Sequence, residues 1–583
     1  MQEMAKNLPL LLLLLSHGLF FLHVATATPR SYHRFTQDAT QFPAISEYDY
    51  IIVGGGAAGC PLAATLSGGG SRVLLLERGG APDEYPSLAT ASGFLPTIST
   101  TSQDSPAQPF SSEEGVANIR ARVLGGGSAI NAGFYSRAHP EFFTDVPFNW
   151  DLHQVNKSYE WIERALVHRP DVRGWQAALR DGLIEAGVSP YNGFTVEHMT
   201  GTKIGGSIFD AAGRRHSAAD LLAYARHDRI RVATRATVDR IFLHQVQTNF
   251  SSVLPATAEA TGVVFLDRLG RRHHAMTRRG GEVILCAGAL GSPQLLLLSG
   301  VGPRAYLATW GIPVAVDNPD VGEYLYDNPR NGISILPPGP VDHSLIQVVG
   351  IPDGGDAFLE AASYVVPFVS PVESILFHRT AAPLYINVAT IMEKVAGPAS
   401  FGSLRLASLD PHDTPFVRFN YFTDPSNLDL NRCVSGLRRV GDVLQSRSMA
   451  IFRPAIGTWL PGGSDVMRGE FHYVGSPLPA NRSDDDVMRG FCRRNVATLW
   501  HYHGGCVAGK VVDREFRVIG TRGLRVVDGS VLTVSPGTNP QATVMMMGRY
   551  VGQRILAGRR YMRNRRRHTP PAVAPPPPPP PDL

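Results

Sequence analysis

The 583-residue sequence predicts an α/β fold, α+β overall, and two observations carry this prediction. The chain is 43% hydrophobic and 18% charged, which is typical of a globular protein with a large core. A β-rich run at 48–53 enters a glycine-rich turn at 54–59, and a helix-compatible stretch at 60–67 leads to a second apolar strand at 72–76. This order of strand, turn, helix and strand predicts a Rossmann-like domain.

The N-terminal residues have the pattern of a secretory signal peptide. Lys6 precedes an apolar run at 8–22, and small residues at 25–27 form a cleavage site. The run is short and interrupted for a hydrocarbon core of ~30 Å. We therefore expect residues 1–27 to be removed and the protein to enter the secretory pathway, with an extracellular, cell-wall or endoplasmic reticulum location. An uncleaved anchor is the alternative.

The net charge of +5 lies at the C-terminus. Residues 559–583 hold six arginines and one acidic residue, so the rest of the chain is neutral. A neutral body provides no reason to expect nucleic acid as a partner. The same segment ends in a proline run, which predicts a disordered Arg/Pro-rich tail. A contact with a partner or the cell wall is the alternative interpretation of this tail.

The five cysteines fit a secreted protein in which disulfides can form. Cys60 in the glycine-rich turn and Cys286 in an apolar strand are expected to be buried thiols. Cys433 and Cys492 fall in the same distal region and are the expected disulfide pair. No spacing suggests a metal site. Potential glycan acceptors are Asn156, Asn249 and Asn481.

The glycine-rich turn has the form G-x-G-x-x-G and is followed by an acidic residue after the second strand. The first glycine permits the tight turn, the second lets the backbone approach a pyrophosphate, and the third lets helix and strand pack closely. The acidic residue can accept hydrogen bonds from ribose hydroxyls. This fingerprint indicates a dinucleotide but does not separate FAD from NAD. The expected binding residues are Gly54, Gly56, Ala57, Ala58, Gly59 and Glu77.

Further segments in fixed order extend the pattern. They are 122–132, 215–219, 288–303, 499–506, 526–530 and 539–541. Together they resemble the glucose–methanol–choline (GMC) oxidoreductase family from about Asp49 to Leu556. The wording His-Tyr-His-Gly-Gly-Cys at 501–506 is similar to the plant branch of HOTHEAD-like proteins and mandelonitrile lyases.

The resemblance implies FAD as the cofactor and a chain divided between two interleaved domains. The FAD-binding domain would comprise 45–135, 196–320 and 495–558. The substrate-binding domain would comprise 136–195 and 321–494 and would be built on an antiparallel sheet. No motif specifies the electron acceptor.

The same resemblance implies where the remaining parts of FAD bind. Val238 would meet the adenine through its backbone, and residues 127–132 would approach the isoalloxazine ring. Beside the ribityl chain and the flavin pyrimidine edge would lie Asp528, Gly529, Pro540 and Gln541. The expected residues are Val123, Gly127, Ser128, Asn131, Ala132, Val238, Trp500, His501, Asp528, Gly529, Pro540 and Gln541.

His501 and Asn539 match the two catalytic positions of the family. An imidazole can take the hydroxyl proton of an alcohol while hydride leaves its carbon, and a second polar group can orient that alcohol. Asn539 lies in a Pro-Gly-Thr-Asn-Pro segment, so turn chemistry is its alternative interpretation. His503 is interpreted as a structural histidine bonded to backbone, with a supporting role behind His501 as the alternative.

The resemblance implies an FAD-dependent oxidoreductase that acts on CH–OH groups. By the family pattern, lyases carry histidine where this chain has Asn539 and tyrosine where it has Leu499. At these two positions the chain resembles the HOTHEAD-like group instead. This resemblance implies a lipophilic primary alcohol as substrate, such as a long-chain ω-hydroxy fatty acid for cutin or another surface lipid. A hydroxynitrile lyase and a non-catalytic flavoprotein remain alternatives. Apolar runs at 363–369 and 374–377 either line a lipophilic cavity or are ordinary core.

Overall fold

The computed structural model describes residues 31–100, 102, 104–246, 258–368, 384–454 and 469–568. The predicted signal peptide, the sequon at Asn249, the apolar run 374–377 and residues 569–583 of the predicted tail lie outside the described residues. Asn156 and Asn481 are exposed, and their glycosylation stays a prediction. Within the described ranges, no helix is both long and apolar enough to cross a membrane.

The strands are numbered in chain order. The first fourteen are β1 (Thr36–Asp38), β2 (Ile45–Val53), β3 (Val73–Leu76), β4 (Ala107–Ser111), β5 (Ala117–Ala121), β6 (Phe134–Tyr135), β7 (Tyr191–Phe194), β8 (Gly201–Ile204), β9 (Gly206–Ser207), β10 (Ile230–Thr234), β11 (Thr237–Gln245), β12 (Ala258–Leu266), β13 (Arg272–Leu285) and β14 (Val301–Gly302). The others are β15 (Val316–Asp317), β16 (Glu323–Tyr326), β17 (Pro329–Leu336), β18 (Val348–Ile351), β19 (Ala357–Phe368), β20 (Leu384–Val395), β21 (Gly402–Arg405), β22 (Phe416–Arg418), β23 (His472–Val474), β24 (Ala497–Thr498), β25 (His503–Gly504), β26 (Thr521–Arg522) and β27 (Leu524–Val526).

The helices are numbered in the same way. They are α1 (Gly59–Gly68), α2 (Phe94–Ser99), α3 (Gly127–Ile130), α4 (Phe142–Asp145), α5 (Leu152–Leu166), α6 (Gly174–Glu185), α7 (Gly288–Leu298), α8 (Arg304–Thr309), α9 (Leu428–Gln445), α10 (Asp485–Arg494) and α11 (Gln541–His568). Short 3₁₀ helices are Ser31–Phe35, Ala39–Gln41, Pro82–Glu84, Pro86–Leu88, Ala91–Gly93, Ala218–Tyr224, Ala450–Phe452 and Gly529–Val531.

The predicted Rossmann-like unit lies in a nine-stranded sheet. Its main order is β1-β10-β3-β2-β13-β12-β11, with β26 beside β12 and β27 beside β13. Within this order, neighbouring strands pair in parallel from β1 through β10, β3 and β2 to β13. The next two strands, β12 and β11, continue the sheet with antiparallel pairing. All four residues of β3 are buried, as is typical of a parallel strand that is covered on both faces. Helices α1 and α11 pack against each other beside this sheet.

The second sheet has eight strands in the main order β23-β17-β20-β19-β18-β8-β7, with β24 beside β17. All of its pairs are antiparallel except β7 with β8. Helices α6, α9 and α10 contribute to a separate hydrophobic core with this sheet, which includes Trp175, Leu437 and Phe491. The two sheets confirm the predicted fold class.

Several predicted domain limits differ from the packing. Strand β8 belongs to the antiparallel sheet, although 196–320 was assigned to the FAD-binding domain. Helix α5 belongs to the core of the nine-stranded sheet, although 136–195 was assigned to the substrate-binding domain, because Val155, Tyr159 and Ile162 form one buried helical face. Strand β1 extends the first sheet ahead of the predicted start at 45.

Part of the predicted tail is helical. Helix α11 continues to His568, so residues 559–568 are helical rather than disordered. Arg559 contributes to this extension, because its guanidinium packs over the Tyr50 ring with a carbon-to-centroid distance of 4.3 Å. A basic composition alone therefore did not end the helix.

The predicted disulfide is confirmed. Cys433 on α9 and Cys492 on α10 form it, and both are fully buried in the second core. Cys60, Cys286 and Cys506 are buried free thiols, which confirms the expectation for the first two. The cross-link ties together two helices that contribute to the same hydrophobic core.

Replacing both Cys433 and Cys492 with alanine is expected to lower the free energy of unfolding by about 2–5 kcal/mol, because the unfolded chain loses a covalent constraint. Urea unfolding of the purified protein measures this change. Wild type should lose similar stability in dithiothreitol, while the double variant should not respond to the reductant. Equal stability of the two proteins without reductant would contradict the expected contribution.

Candidate active site

A cavity of about 370 Å³ opens at the carboxyl ends of β2, β3 and β13. Ligands of open α/β sheets bind at this edge, because the loops that follow parallel strands meet there. Every predicted site residue except Gly59 lines the cavity. The predicted residues in its wall are Gly54, Gly56, Ala57, Ala58, Glu77, Val123, Gly127, Ser128, Asn131, Ala132, Val238, Trp500, His501, Asp528, Gly529, Asn539, Pro540 and Gln541.

The turn between β2 and α1 has no room for a side chain at Gly54 or at Gly59. Gly54 has φ of +105°, and a Cβ there would lie 2.4 Å from the Cys286 carbonyl oxygen. A Cβ on Gly59 would lie 2.0 Å from the Gly54 carbonyl oxygen. Gly59 therefore shapes the turn from behind, while Gly56, Ala57 and Ala58 face the cavity at the start of α1. The N-terminus of α1 presents peptide N–H groups and a positive dipole end to an anion there.

Glu77 supports the same turn from β3. Its Oε2 accepts a hydrogen bond of 3.0 Å from the Gly55 N–H, and its Oε1 accepts one of 2.8 Å from the Gly79 N–H. Burial raises the pKa of Glu77, and these backbone donors oppose the increase. Each carboxylate oxygen can accept a further hydrogen bond, so Glu77 retains capacity for ribose hydroxyls.

The second glycine-rich loop lies directly on the first. The Gly125 N–H donates a 2.7 Å hydrogen bond to the Gly55 carbonyl oxygen. Ser128 Oγ donates a hydrogen bond of 2.7 Å to the Gly125 carbonyl and accepts one of 2.9 Å from the Ala218 N–H. The role of Ser128 visible here is thus to hold the loop that begins α3.

Asn131 and Gln541 join two distant parts of the chain at the cavity wall. Asn131 Nδ2 donates a 2.9 Å hydrogen bond to Gln541 Oε1, and Gln541 Nε2 donates to the Phe134 carbonyl. The buried Arg215 guanidinium donates 3.3 Å to Asn131 Oδ1. These contacts bring the predicted segments 127–132, 215–219 and 539–541 to one wall.

Asp528 fixes the start of α7. Its Oδ2 accepts a hydrogen bond of 2.9 Å from the Gly288 N–H and one of 2.5 Å from Ser292 Oγ. Its Oδ1 accepts a hydrogen bond of 2.8 Å from the Ser530 N–H. Burial raises the pKa of Asp528, and these hydrogen bonds oppose the increase. The carboxylate therefore connects the 288–303 segment with the 526–530 segment beside the cavity.

His501 and Asn539 meet in the cavity. His501 Nε2 and Asn539 Nδ2 are 3.5 Å apart, so a hydroxyl oxygen that approaches from the cavity can reach both atoms. His501 Nδ1 and Asn539 Oδ1 are buried and have no hydrogen-bond partner within the described ranges. The geometry is that of a general base beside a polar group that can orient a bound hydroxyl.

Asp327 holds the backbone of His501. This carboxylate was not predicted from the sequence, because it lies outside every motif. It accepts hydrogen bonds of 2.9 Å from the His501 N–H, 2.6 Å from Thr498 Oγ1 and 2.6 Å from the Tyr421 hydroxyl. Burial raises the pKa of Asp327 to about 6 against the lowering effect of these donors.

The electrostatic surroundings keep His501 neutral. Burial lowers its pKa well below the ordinary value, and the nearby Lys394, His503 and Arg330 act in the same direction. A neutral imidazole can accept a proton. His501 is therefore in the state that a general base requires.

His503 is bonded to the backbone, as predicted. Its Nδ1 donates a 3.0 Å hydrogen bond to the His501 carbonyl oxygen, and its ring stacks on Tyr326 with centroids 5.0 Å apart. Burial lowers the pKa of His503 to about 4. The side chain thereby supports the strand that follows His501.

The depressed pKa of His503 predicts that acid destabilises the fold. The unfolded histidine binds a proton below about pH 6.5, while the folded one stays neutral to about pH 4, so stability is lost as the pH falls through this window. Between about pH 7.5 and pH 5 this histidine alone costs about 2 kcal/mol. Urea unfolding of wild type and His503→Gln at both pH values tests this, because the variant should lose about 2 kcal/mol less. Equal losses would contradict the prediction.

Glu360 was also missed by the sequence analysis. It is fully buried on β19 and lines the cavity. A lone acidic residue in the apolar run Phe-Leu-Glu-Ala-Ala was the available signal, since acidic residues are almost never fully buried without a partner.

The Rossmann-like sheet, the two glycine-rich loops and the histidine–asparagine pair together define a flavin-dependent oxidoreductase. GMC oxidoreductase family models match residues 48–330 and 398–548. The chain belongs to the GMC oxidoreductase family, which confirms the predicted enzyme class and the predicted cofactor, FAD.

Plant proteins of this family are similar over nearly the whole chain. A mandelonitrile lyase-like protein of Arabidopsis thaliana is 58% identical over 92% of this chain and 96% of the relative. Sinapyl alcohol oxidase Nec3 of Nesocodon mauritianus is 44% identical over 92% and 94% of the two chains. The HOTHEAD protein of A. thaliana is 44% identical over 88% and 89%. The predicted plant branch is confirmed.

A solved structure supports the fold independently. A variant of formate oxidase from Aspergillus oryzae aligns over 89% of this chain and 100% of its own with a TM-score of 0.70 and 19% identity. At this identity the likeness concerns the fold alone.

The residues present fit FAD. The side-chain-free turn at Gly54 and Gly59 allows close approach of a pyrophosphate, and Glu77 retains acceptor capacity for the ribose. At the other end of the cavity, His501 and Asn539 line the wall, with His501 Nε2 and Asn539 Nδ2 3.5 Å apart.

Proposed function

We propose that this protein oxidises lipophilic primary alcohols, with hydride passing from the carbinol carbon to FAD. The observation that carries the proposal is the pair formed by His501 Nε2 and Asn539 Nδ2, 3.5 Å apart in the wall of the predicted cofactor cavity. Bound FAD supplies the hydride acceptor.

The residues of the chain bind the alcohol and move its proton. His501 Nε2 accepts the hydroxyl proton, because burial keeps the imidazole neutral. Asn539 Nδ2 donates a hydrogen bond to the hydroxyl oxygen and so fixes the direction of the carbinol C–H. Asp327 holds the His501 backbone in position through its 2.9 Å hydrogen bond.

The cavity wall near this pair favours an apolar substrate. Among the aromatic and aliphatic side chains of the cavity wall are Phe94, Ile98, Phe134, Ile346, Leu499 and Trp500. Apolar surface of this kind binds a hydrocarbon chain or an aromatic ring through burial of area. Long-chain ω-hydroxy fatty acids, precursors of cutin or another surface lipid, are the proposed class. The relative named as a sinapyl alcohol oxidase supports testing aromatic primary alcohols beside them.

Cyanohydrin cleavage is the second candidate, favoured by the 58% identical relative that is named mandelonitrile lyase-like. His501 could take the cyanohydrin hydroxyl proton, but the departing cyanide also needs a proton. A neutral amide such as Asn539 is not a proton donor of this kind. The residues at 539 and 499 therefore support oxidation.

Anaerobic mixing of the purified holoenzyme with one compound at a time separates these functions. The panel contains ω-hydroxy fatty acids, benzyl alcohol, sinapyl alcohol and mandelonitrile, and flavin absorbance is followed. Bleaching by an alcohol supports oxidation. Release of benzaldehyde from mandelonitrile without bleaching would favour the lyase.

A non-catalytic flavoprotein is the third outcome. It would be indicated if neither wild type nor His501→Ala responded to the whole panel. Among alcohols, faster bleaching by the fatty substrates than by benzyl alcohol of equal concentration would support the proposed substrate class. The opposite order would replace it with aromatic alcohols.

We also propose that the protein is exported after cleavage near Ala27. The signal-like residues 1–27 and the buried disulfide between Cys433 and Cys492 support this location. N-terminal sequencing of protein purified from its native tissue tests the cleavage. An N-terminus upstream of the apolar run 8–22 would contradict it.

A further inference from the structure

Glu360 is a fully buried carboxylic acid in the wall of the active-site cavity. Neither of its oxygens accepts a full hydrogen bond from the part of the chain that the structure describes. Burial of a carboxyl group costs free energy unless the group is hydrogen-bonded or paired with a charge. The alcohol mechanism above makes no use of this group.

The sheet places Glu360 on the cavity face beside two cations. Glu360 on β19 pairs with Met392 on β20, and two residues away Phe358 pairs with Lys394. Lys394 in turn pairs with Arg330 on β17. Because side chains two residues apart on a strand share a face, Glu360, Lys394 and Arg330 lie on the same side of the sheet.

The neighbouring acid has a different position. Glu393 points to the opposite face, where its Cγ would lie 2.3 Å from a Cβ on Gly436 of α9. It therefore packs toward the helices and not toward the cavity. Of these two acidic residues on β19 and β20, Glu360 is the one that lines the cavity.

Asn539 and Glu360 line the same cavity as His501. Burial raises the pKa of Glu360, while Lys394, Arg330 and the Asn539 amide act in the opposite direction. The nitrogen of the same amide is 3.5 Å from His501 Nε2. An asparagine amide has two N–H donors and one oxygen, so it can serve both neighbours through its nitrogen.

We propose that Glu360 is a positioning residue for alcohol oxidation, which accepts a hydrogen bond from Asn539 and thereby holds the amide nitrogen toward the reacting hydroxyl. This inference rests on the proposed function. It follows from the juxtaposition of a fully buried, otherwise unused carboxyl group with one of the two residues of the catalytic pair.

The physical reason lies in the symmetry of an amide. Its nitrogen and oxygen ends have nearly the same shape, so packing alone does not select which end faces His501. The Lys394 and Arg330 cations favour the ionised form of Glu360, and a carboxylate only accepts hydrogen bonds and therefore selects the nitrogen end. The second N–H then points to the alcohol oxygen. Without an acceptor at 360, the amide oxygen can turn toward the site, where it cannot donate to the substrate.

Two variants of similar size isolate this hydrogen bond. Glu360→Gln retains an oxygen acceptor, whereas Glu360→Met retains the length of the side chain without an acceptor. With an alcohol that bleaches wild type, we expect Glu360→Met to lower the bleaching rate constant by about tenfold to a hundredfold. Glu360→Gln should stay within about threefold. Flavin absorbance and thermal unfolding verify that both variants are folded and loaded.

The coupling to Asn539 separates positioning from a structural role. In an Asn539→Ala background, Glu360→Met should lower the rate by less than about twofold, because its partner is already absent. The proposal would be overturned if the fold-loss of rate in the double variant equalled the product of the two single losses. An unchanged rate in Glu360→Met would overturn it as well.

Neutron crystal structures of the holoenzyme, which distinguish the nitrogen of an amide from its oxygen, decide the inference even if no alcohol is oxidised. In wild type the Asn539 nitrogen should lie within hydrogen-bond distance of Glu360, and in Glu360→Met the amide should adopt a second orientation. An Asn539 side chain without contact to Glu360, or with the same single orientation in both proteins, would overturn it. Silence of wild type toward all alcohols would instead refute the proposed function.

Discussion

Replacing His501 with alanine is expected to lower the rate of flavin bleaching by alcohols by about 10²–10⁴-fold, the range for loss of a general base. The reason is the position of its Nε2 beside Asn539 in the cavity and its neutral state. Among the described residues of the cavity wall the other imidazole is His503, and its Nδ1 is bonded to the His501 carbonyl. Anaerobic stopped-flow absorbance measures the rate constant directly.

The loss should concern proton transfer and not cofactor binding. The His501→Ala protein should retain the flavin spectrum and ratio of wild type, because the turn at 54–59 and Glu77 are remote from the substitution in the chain and hold the other end of the cavity. His503→Gln is the matched control, since it alters the neighbouring imidazole, and it should lose far less activity. A His501→Ala protein that bleaches as fast as wild type would refute the assignment of the base.

Replacing Gly59 with alanine is expected to abolish stable FAD binding. The new Cβ would lie 2.0 Å from the Gly54 carbonyl oxygen, and both groups belong to backbone that cannot rotate away. Either α1 moves away from β2 or the turn opens, and the N–H groups at Gly56 and Ala57 leave their positions. Overpacking of this kind costs about 1–3 kcal/mol in stability and also displaces the expected pyrophosphate site.

Ultrafiltration followed by absorbance of the retained flavin measures this effect, with thermal unfolding beside it. Gly558→Ala is the control, because Gly558 lies in the exposed part of α11 and a Cβ there meets nothing within 4 Å. That variant should retain FAD and gain up to about 1 kcal/mol from helix propensity. A Gly59→Ala protein with full flavin content would contradict the expected close packing.

The sequence predicted the parts of the site that depend on local backbone form. The run 48–77 contains its own strand, turn, helix and acid, so Gly54, Gly59 and Glu77 could be assigned roles from their spacing alone. The structure places these residues as expected at the edge of the parallel sheet. Recognition of several ordered motifs extended the prediction to His501 and Asn539, which are 38 positions apart and meet in space.

The sequence was less informative where position depends on pairing between distant strands. Strand β8 joined the antiparallel sheet and α5 joined the nucleotide-domain core, contrary to the predicted domain limits. An apolar helical face predicts that α5 is packed, but it does not identify the sheet that receives it. The continuation of α11 to His568 was also outside what composition indicated.

The sequence by itself determined the dinucleotide-binding unit, because the residue types and spacing at 48–77 have one physical use, and the resemblance of its ordered motifs to the GMC family implied FAD and oxidoreductase chemistry. Only the tertiary structure decided that Asp327 holds His501 and that Glu360 is buried in the wall of the cavity that Asn539 also lines. Neither acid belongs to a motif. Their importance arises from burial next to particular partners, and burial is a property of the folded chain that strand pairing and packing create.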